Sequence, residues 1–82
     1  MPKTETFRSL VLKQRSQTDG RLTPMRSVAD ACGCSRAWLY MLMSGNFGEV
    51  PEETMEAIAE GLDVSVRRVR RALQTSQEEA YA

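Results

Sequence analysis

Thr23-Pro-Met-Arg-Ser-Val-Ala-Asp-Ala-Cys-Gly-Cys-Ser-Arg-Ala-Trp-Leu-Tyr-Met-Leu-Met-Ser-Gly45 decides the reading of this 82-residue chain. Thr23 suits a helix N-cap, and Pro24 suits the first helical position, where a missing N–H costs nothing. Val28, Ala29 and Cys32 fall on one face of the helix so started. Gly33 ends it by supplying a left-handed conformation that a side chain would penalise. Ser35 then caps a next helix from about Arg36 to Met43, which stops at Ser44-Gly45. Ala29 is placed where the two helices cross, and Leu39 and Leu42 hold the second against the first.

Working outward, Phe7, Leu10, Val11 and Gln14 follow helical spacing, so a first helix is expected from Thr6 to Arg15, capped by Thr4 or Thr6. Phe7, Leu10 and Val11 face its core. The cluster Ser16-Gln17-Thr18-Asp19-Gly20 ends it. On the other side, Asn46-Phe47-Gly48-Glu49-Val50 reads as a loop. Pro51 starts a fourth helix with Glu52 and Glu53 at the positive end of its dipole and Met55, Ile58, Ala59 and Leu62 as its apolar stripe. Leu62-Asp63-Val64 turns, and Ser65 caps a fifth helix with Val66, Val69 and Leu73 inward. Thr75 to Ala82 is polar and is expected to fray. No strand alternation and no internal repeat occurs. The expected architecture is all-α: a compact five-helix bundle over residues 6–74, with a flexible N-terminus over 1–5 and a polar C-terminal tail over 75–82. Its second and third helices have the sequence form of a helix-turn-helix, which holds one helix out so that it can enter the DNA major groove.

The rest of the composition mostly excludes. A chain this short buries a modest core and encloses no active-site cavity. No apolar run approaches the roughly 18–20 residues that cross a membrane, and the polar stretch 1–6 lacks a signal peptide's apolar core, so a cytoplasmic, nucleoid-associated protein is expected. There is no histidine and there are two cysteines, Cys32 and Cys34. Four zinc ligands cannot be assembled from them, and neither cysteine has a base beside it, so no metal, no cofactor and no catalytic residue is expected. Net charge is zero but unevenly spread. Residues 1–48 carry seven basic side chains (Lys3, Arg8, Lys13, Arg15, Arg21, Arg26, Arg36) against three acidic (Glu5, Asp19, Asp30). Residues 49–82 carry four basic (Arg67, Arg68, Arg70, Arg71) against eight acidic (Glu49, Glu52, Glu53, Glu56, Glu60, Asp63, Glu78, Glu79). The local field, not the total, governs an encounter with phosphates.

The third helix carries the candidate site. Stepping 100° per residue from Leu39 puts Ser35 and Leu42 on the buried side. Ala37, Tyr40, Met41 and Ser44 then point outward, with Arg36, Trp38 and Met43 at the edges. An outer face this apolar implies a partner. Against DNA, Arg36 could make a bidentate bond to guanine, Tyr40 could bond a base edge or a phosphate, and Ala37 or Met41 could touch a thymine methyl. Against protein, Trp38, Tyr40 and Met41 would be interface anchors. Trp38 could equally fold back onto the core.

Residues 7–73 resemble the lambda-repressor-like DNA-binding domain, the Cro/C1-type or XRE helix-turn-helix family. The first match is Ser27-Val28-Ala29-Asp30, Gly33, Leu39, Leu42 and Gly45 at that family's spacing. The second is Pro51, Glu53-Thr54-Met55, Ile58-Ala59, Leu62-Asp63-Val64-Ser65 and Leu73. The resemblance implies five helices, binding to double-stranded DNA as a homodimer on an inverted-repeat operator, and transcriptional control, most often repression in a phage or mobile element. By position it implies base contacts from Arg36, Ala37, Tyr40 and Met41, and phosphate contacts from Met25, Ser44 and Asn46, with Thr23, Arg26 and Ser35 as further candidates for phosphate contact. Met25 stands where that family commonly has Gln, and Arg26 or the helix N-terminus itself could substitute. The loop from Ser16 to Leu22 is longer than usual, and the third helix is less polar.

The alternative function is a protein-binding adaptor on the same fold, an antitoxin or anti-activator, with a second regulatory protein as partner.

Overall fold

The computed structural model describes residues 5–16 and 23–80, and these contain five α-helices and no strand. The turn expected after Ser16, the loop up to Leu22 and the chain ends at 1–4 and 81–82 lie outside the described residues. The radius of gyration is 12.0 Å, close to the ~12 Å of a folded chain of this length.

Helix α1 (Phe7–Arg15) is capped by Thr6, whose hydroxyl oxygen accepts the Ser9 N–H at 3.1 Å. Phe7, Leu10 and Val11 are its buried face, as the spacing predicts. Helix α2 (Met25–Cys32) differs at its start from the sequence expectation. Pro24, with ψ 145°, is itself the N-cap, no side chain caps the helix, and helical geometry begins at Met25. Thr23 is held instead to the end of α1. Its N–H donates to the Arg15 carbonyl at 2.8 Å, and its carbonyl accepts from Arg15 Nε at 2.8 Å. Gly33 ends α2 at φ 71°, in the left-handed region that glycine adopts without strain.

Ser35 starts helix α3 (Arg36–Ser44) by accepting the Trp38 N–H at 3.1 Å. Helix α4 (Glu52–Leu62) has Pro51 as its N-cap residue rather than as its first helical one, and it ends at Asp63, which takes a left-handed φ of 56°. Aspartate tolerates that region better than most residues. Helix α5 (Val66–Ala80) starts where Ser65 accepts the Arg68 N–H at 3.1 Å.

The five helices surround one core. Phe7, Leu10, Leu39, Leu42, Ile58, Leu62, Val11 and Val69 are its largest fully enclosed side chains. α4 packs chiefly on α2 and α5, and α1 and α3 pack on each other and on α5. Gly61 permits the α2–α4 approach, because a Cβ there would stand 2.6 Å from the Ala31 backbone.

Two further expectations are corrected. Residues 75–80 do not fray: α5 continues through them, and Ser76 is buried and accepts the Phe7 N–H at 2.9 Å. Glu5, expected in a flexible terminus, is held by Lys13 Nζ at 2.8 Å and by Arg68 Nε at 2.8 Å. The expected loop at 46–50 is present, and within it Phe47 is buried, with Gln77 Nε2 donating to the Phe47 and Gly48 carbonyls at 2.9 and 3.0 Å. The loop before α4 is thereby bound to the end of α5. At the same place a Cβ on Gly45, which has φ 80°, would overlap the Ser76 carbonyl.

Candidate functional site

Leu39 and Leu42 are fully buried, and they set the rotation of α3 about its axis. At 3.6 residues per turn the positions of Arg36, Ala37, Tyr40, Met41 and Ser44 then spread over about 140° of the opposite side. All five are exposed. Tyr40 keeps 53% and Met41 38% of its surface in solvent, and together with Leu12 of α1 they are the large apolar side chains left exposed among the described residues. Trp38 and Met43 are half-buried and pack against the core from the two edges of the helix. Ser35 is exposed rather than on the buried side, because an N-cap residue precedes the helical rotation and turns its hydroxyl back to the helix end.

The residues named for phosphate contact divide. Arg26 and Asn46 are exposed, and Arg26 stands in the first turn of α2. Ser35 accepts through its hydroxyl oxygen, which leaves its hydroxyl proton to donate outward. Thr23 is half-buried, with both backbone groups bonded to Arg15. Met25 is corrected: only 6% of it is exposed, and its side chain belongs to the core. The apolar residue in place of a polar one is used for packing at the start of α2. Ser44 is exposed and bonded within the chain. Its hydroxyl proton goes to the Met41 carbonyl at 2.6 Å, and its oxygen accepts the Asn46 N–H at 3.2 Å. This closes the C-terminal end of α3, where carbonyls lack helical partners.

The electrostatics follow the helices. α1 and α3 contain no acidic residue, whereas α4 contains Glu52, Glu53, Glu56 and Glu60 and no basic one. The four arginines of α5 are partly occupied within the molecule. Arg68 pairs with Glu5, and Arg70 Nη2 reaches Glu52 at 2.6 and 2.7 Å. The Arg68 guanidinium, with Lys13 beside it, holds the Glu5 carboxyl down to about 2. Among the described residues no ion pair involves Arg8, Arg26 or Arg36.

The cysteines flank the turn. Cys32 is buried, with its thiol 3.9 Å from the Ile58 carbonyl, and burial together with the nearby Cys34 pushes it up to about 11. Burial also raises Cys34, which is half-buried. Both pack against the core. No cluster of three or more potential metal-ligating side chains occurs among the described residues, and no described helix is long and apolar enough to cross a membrane.

What the arrangement offers chemically is a short exposed helix with one guanidinium, one phenol and two small or flexible apolar groups on a single face. That set can donate hydrogen bonds and make apolar contacts, and it has no acid–base or nucleophilic pair. No family model, no curated protein and no solved structure matches this chain.

Proposed function

We propose that the chain is a sequence-specific double-stranded DNA-binding regulator of transcription, a repressor acting as a homodimer on an inverted repeat, with α2 and α3 as a helix-turn-helix. The observation that carries the reading is the exposure of Arg36, Ala37, Tyr40 and Met41 on one side of α3 while Leu39 and Leu42 anchor the other. The break at Gly33 supports it, because two separate helices rather than one continuous rod leave α3 free to be presented. Arg36 in the first turn is suited to the O6 and N7 acceptors of guanine, and Met41 and Ala37 to a thymine methyl. Ser35, Arg26 and Asn46 would hold backbone phosphates around it. α1 and α3 carry no carboxylate while α4 carries four and α2 only Asp30, which leaves basic groups beside α3 to meet a polyanion despite zero net charge.

The test is selection of duplexes by the chain from a random-sequence DNA pool, followed by anisotropy titration of the enriched duplex and a scrambled copy. Preference for the enriched duplex, on a site with two half-sites one helical turn apart, is expected. Equal affinity for both at physiological salt rejects the reading. The exposed Tyr40 and Met41 favour one second reading, a protein-binding adaptor that uses the same helix face as an apolar anchor. Stoichiometric capture of a protein partner without salt-dependent DNA binding would select it.

A further inference from the structure

Outside α2 and α3, Arg8 on α1 and Arg67 and Arg71 on α5 are cations that no carboxylate holds among the described residues. α1 carries three cations. Lys13 is bound to Glu5, and Arg15 donates to the Thr23 carbonyl. Arg8, exposed in the first turn, has no acidic partner among the described residues. It lines a shallow hollow of about 280 Å³ between α1 and α3 together with Tyr40, Met43 and Ser44. Arg8 therefore borders the outward face of α3 from a different helix, beside the serine whose hydroxyl proton is already given to Met41.

We infer that Arg8 is a DNA phosphate-binding residue, and that the contact surface extends from α3 across this hollow onto α1. The inference rests on the DNA-binding reading. The Arg8 guanidinium supplies a fully charged donor beside Ser44, whose hydroxyl bonds the Met41 carbonyl. Tyr40, on the other wall, adds a phenolic donor to the same hollow. The occupant is the phosphodiester backbone rather than a base edge, because Arg8 stands on α1, outside the helix whose side chains would meet base edges. Charge complementarity favours a polyanion there: α1 and α3 hold no carboxylate that would repel it.

The experiment compares wild type, Arg8→Ala, Arg8→Lys and Arg67→Ala by anisotropy on the duplex selected by wild type and on its scrambled copy, between 50 and 200 mM salt. Arg67 is an exposed cation on α5 and serves as a control for total charge. Arg8→Ala is expected to weaken both duplexes by a similar factor, roughly three- to tenfold, and to lower the salt slope by about one. Arg8→Lys should keep the slope, and Arg67→Ala should change neither duplex by more than twofold. Thermal melting of Arg8→Ala should match wild type, since the side chain is exposed. If wild type discriminates the duplexes while Arg8→Ala binds like wild type, the inference falls and the DNA-binding reading stands. Loss confined to the selected duplex at an unchanged slope also overturns it, because that is base readout or misfolding. Failure of wild type to prefer any duplex removes the functional reading and this inference with it.

Discussion

Helices α3 and α5 both begin on a serine whose hydroxyl oxygen accepts the N–H three residues on, and both bury a narrow apolar stripe in the same core. Their outer faces differ. α5 has four arginines, and two of them are engaged by Glu5 and Glu52 within the chain. α3 has a single arginine, with Tyr40 and Met41 exposed beside it and no ion pair among the described residues. α5 is thus tied into the molecule through two of its arginines while Arg67 and Arg71 stay without an ion pair among the described residues, and α3 is set apart by its exposed apolar groups. Internal ion pairs engage only part of the charge on α5, and what singles out α3 is exposed apolar surface beside one arginine rather than charge.

The sharpest way to break this comparison is where the two helices touch. Gly45→Ala would place a Cβ into the Ser76 carbonyl at a left-handed φ of 80°. A loss of about 4 kcal/mol or more is expected, read as a shift of the urea midpoint. Wild-type stability would mean that α3 does not abut α5 there. Ser76→Ala removes the acceptor of the buried Phe7 N–H and is expected to cost about 1–3 kcal/mol in the same assay. An unchanged midpoint would return residues 75–80 to the role of a dispensable tail.

A paired substitution separates the two outer faces. Arg36→Ala is expected to weaken binding to the selected duplex by about 1–3 kcal/mol and to leave the scrambled duplex and the melting temperature unaffected. Arg70→Ala, which breaks an exposed pair with Glu52, should change stability by less than about 1 kcal/mol and leave binding alone. The reverse pattern would make α5 the contacting helix. The smallest effect is the pH response of the Glu5 clasp. Its folded carboxyl titrates at about 2, below the ordinary value of 4.5, so its contribution is complete above about pH 4.5 and is lost as pH falls toward 2. Thermal melts of wild type against Glu5→Gln should differ at pH 6 and converge near pH 2; a constant difference would refute the pairing.

Much of the fold was legible because local chemistry is written in single residues. The breaks at Gly33 and Gly45 need a left-handed backbone, Ser35 and Ser65 cap the helices they precede, and Leu39 and Leu42 fix the rotation of α3 that exposes Arg36, Ala37, Tyr40 and Met41. The proline starts differ from expectation by one residue, since Pro24 and Pro51 serve as N-caps without any side-chain bond. Met25 could not be placed by spacing alone: a residue in the first turn of a helix faces in or out according to what packs over it.

From the amino-acid order come five helices, their limits to within a residue or so at most ends, and the two-faced character of α3, because backbone preference and 3.6-residue periodicity act over a few neighbours. Only the tertiary structure decided that α5 extends to Ala80, that Met25 is buried, and that Arg8 borders α3. Each depends on groups far apart in the chain, or on hydrogen bonds whose partners are chosen by the packed geometry. The polar stretch 75–80 looks like a tail until Phe7, Gly45 and Phe47 arrive beside it and give its serine and glutamine something to bond.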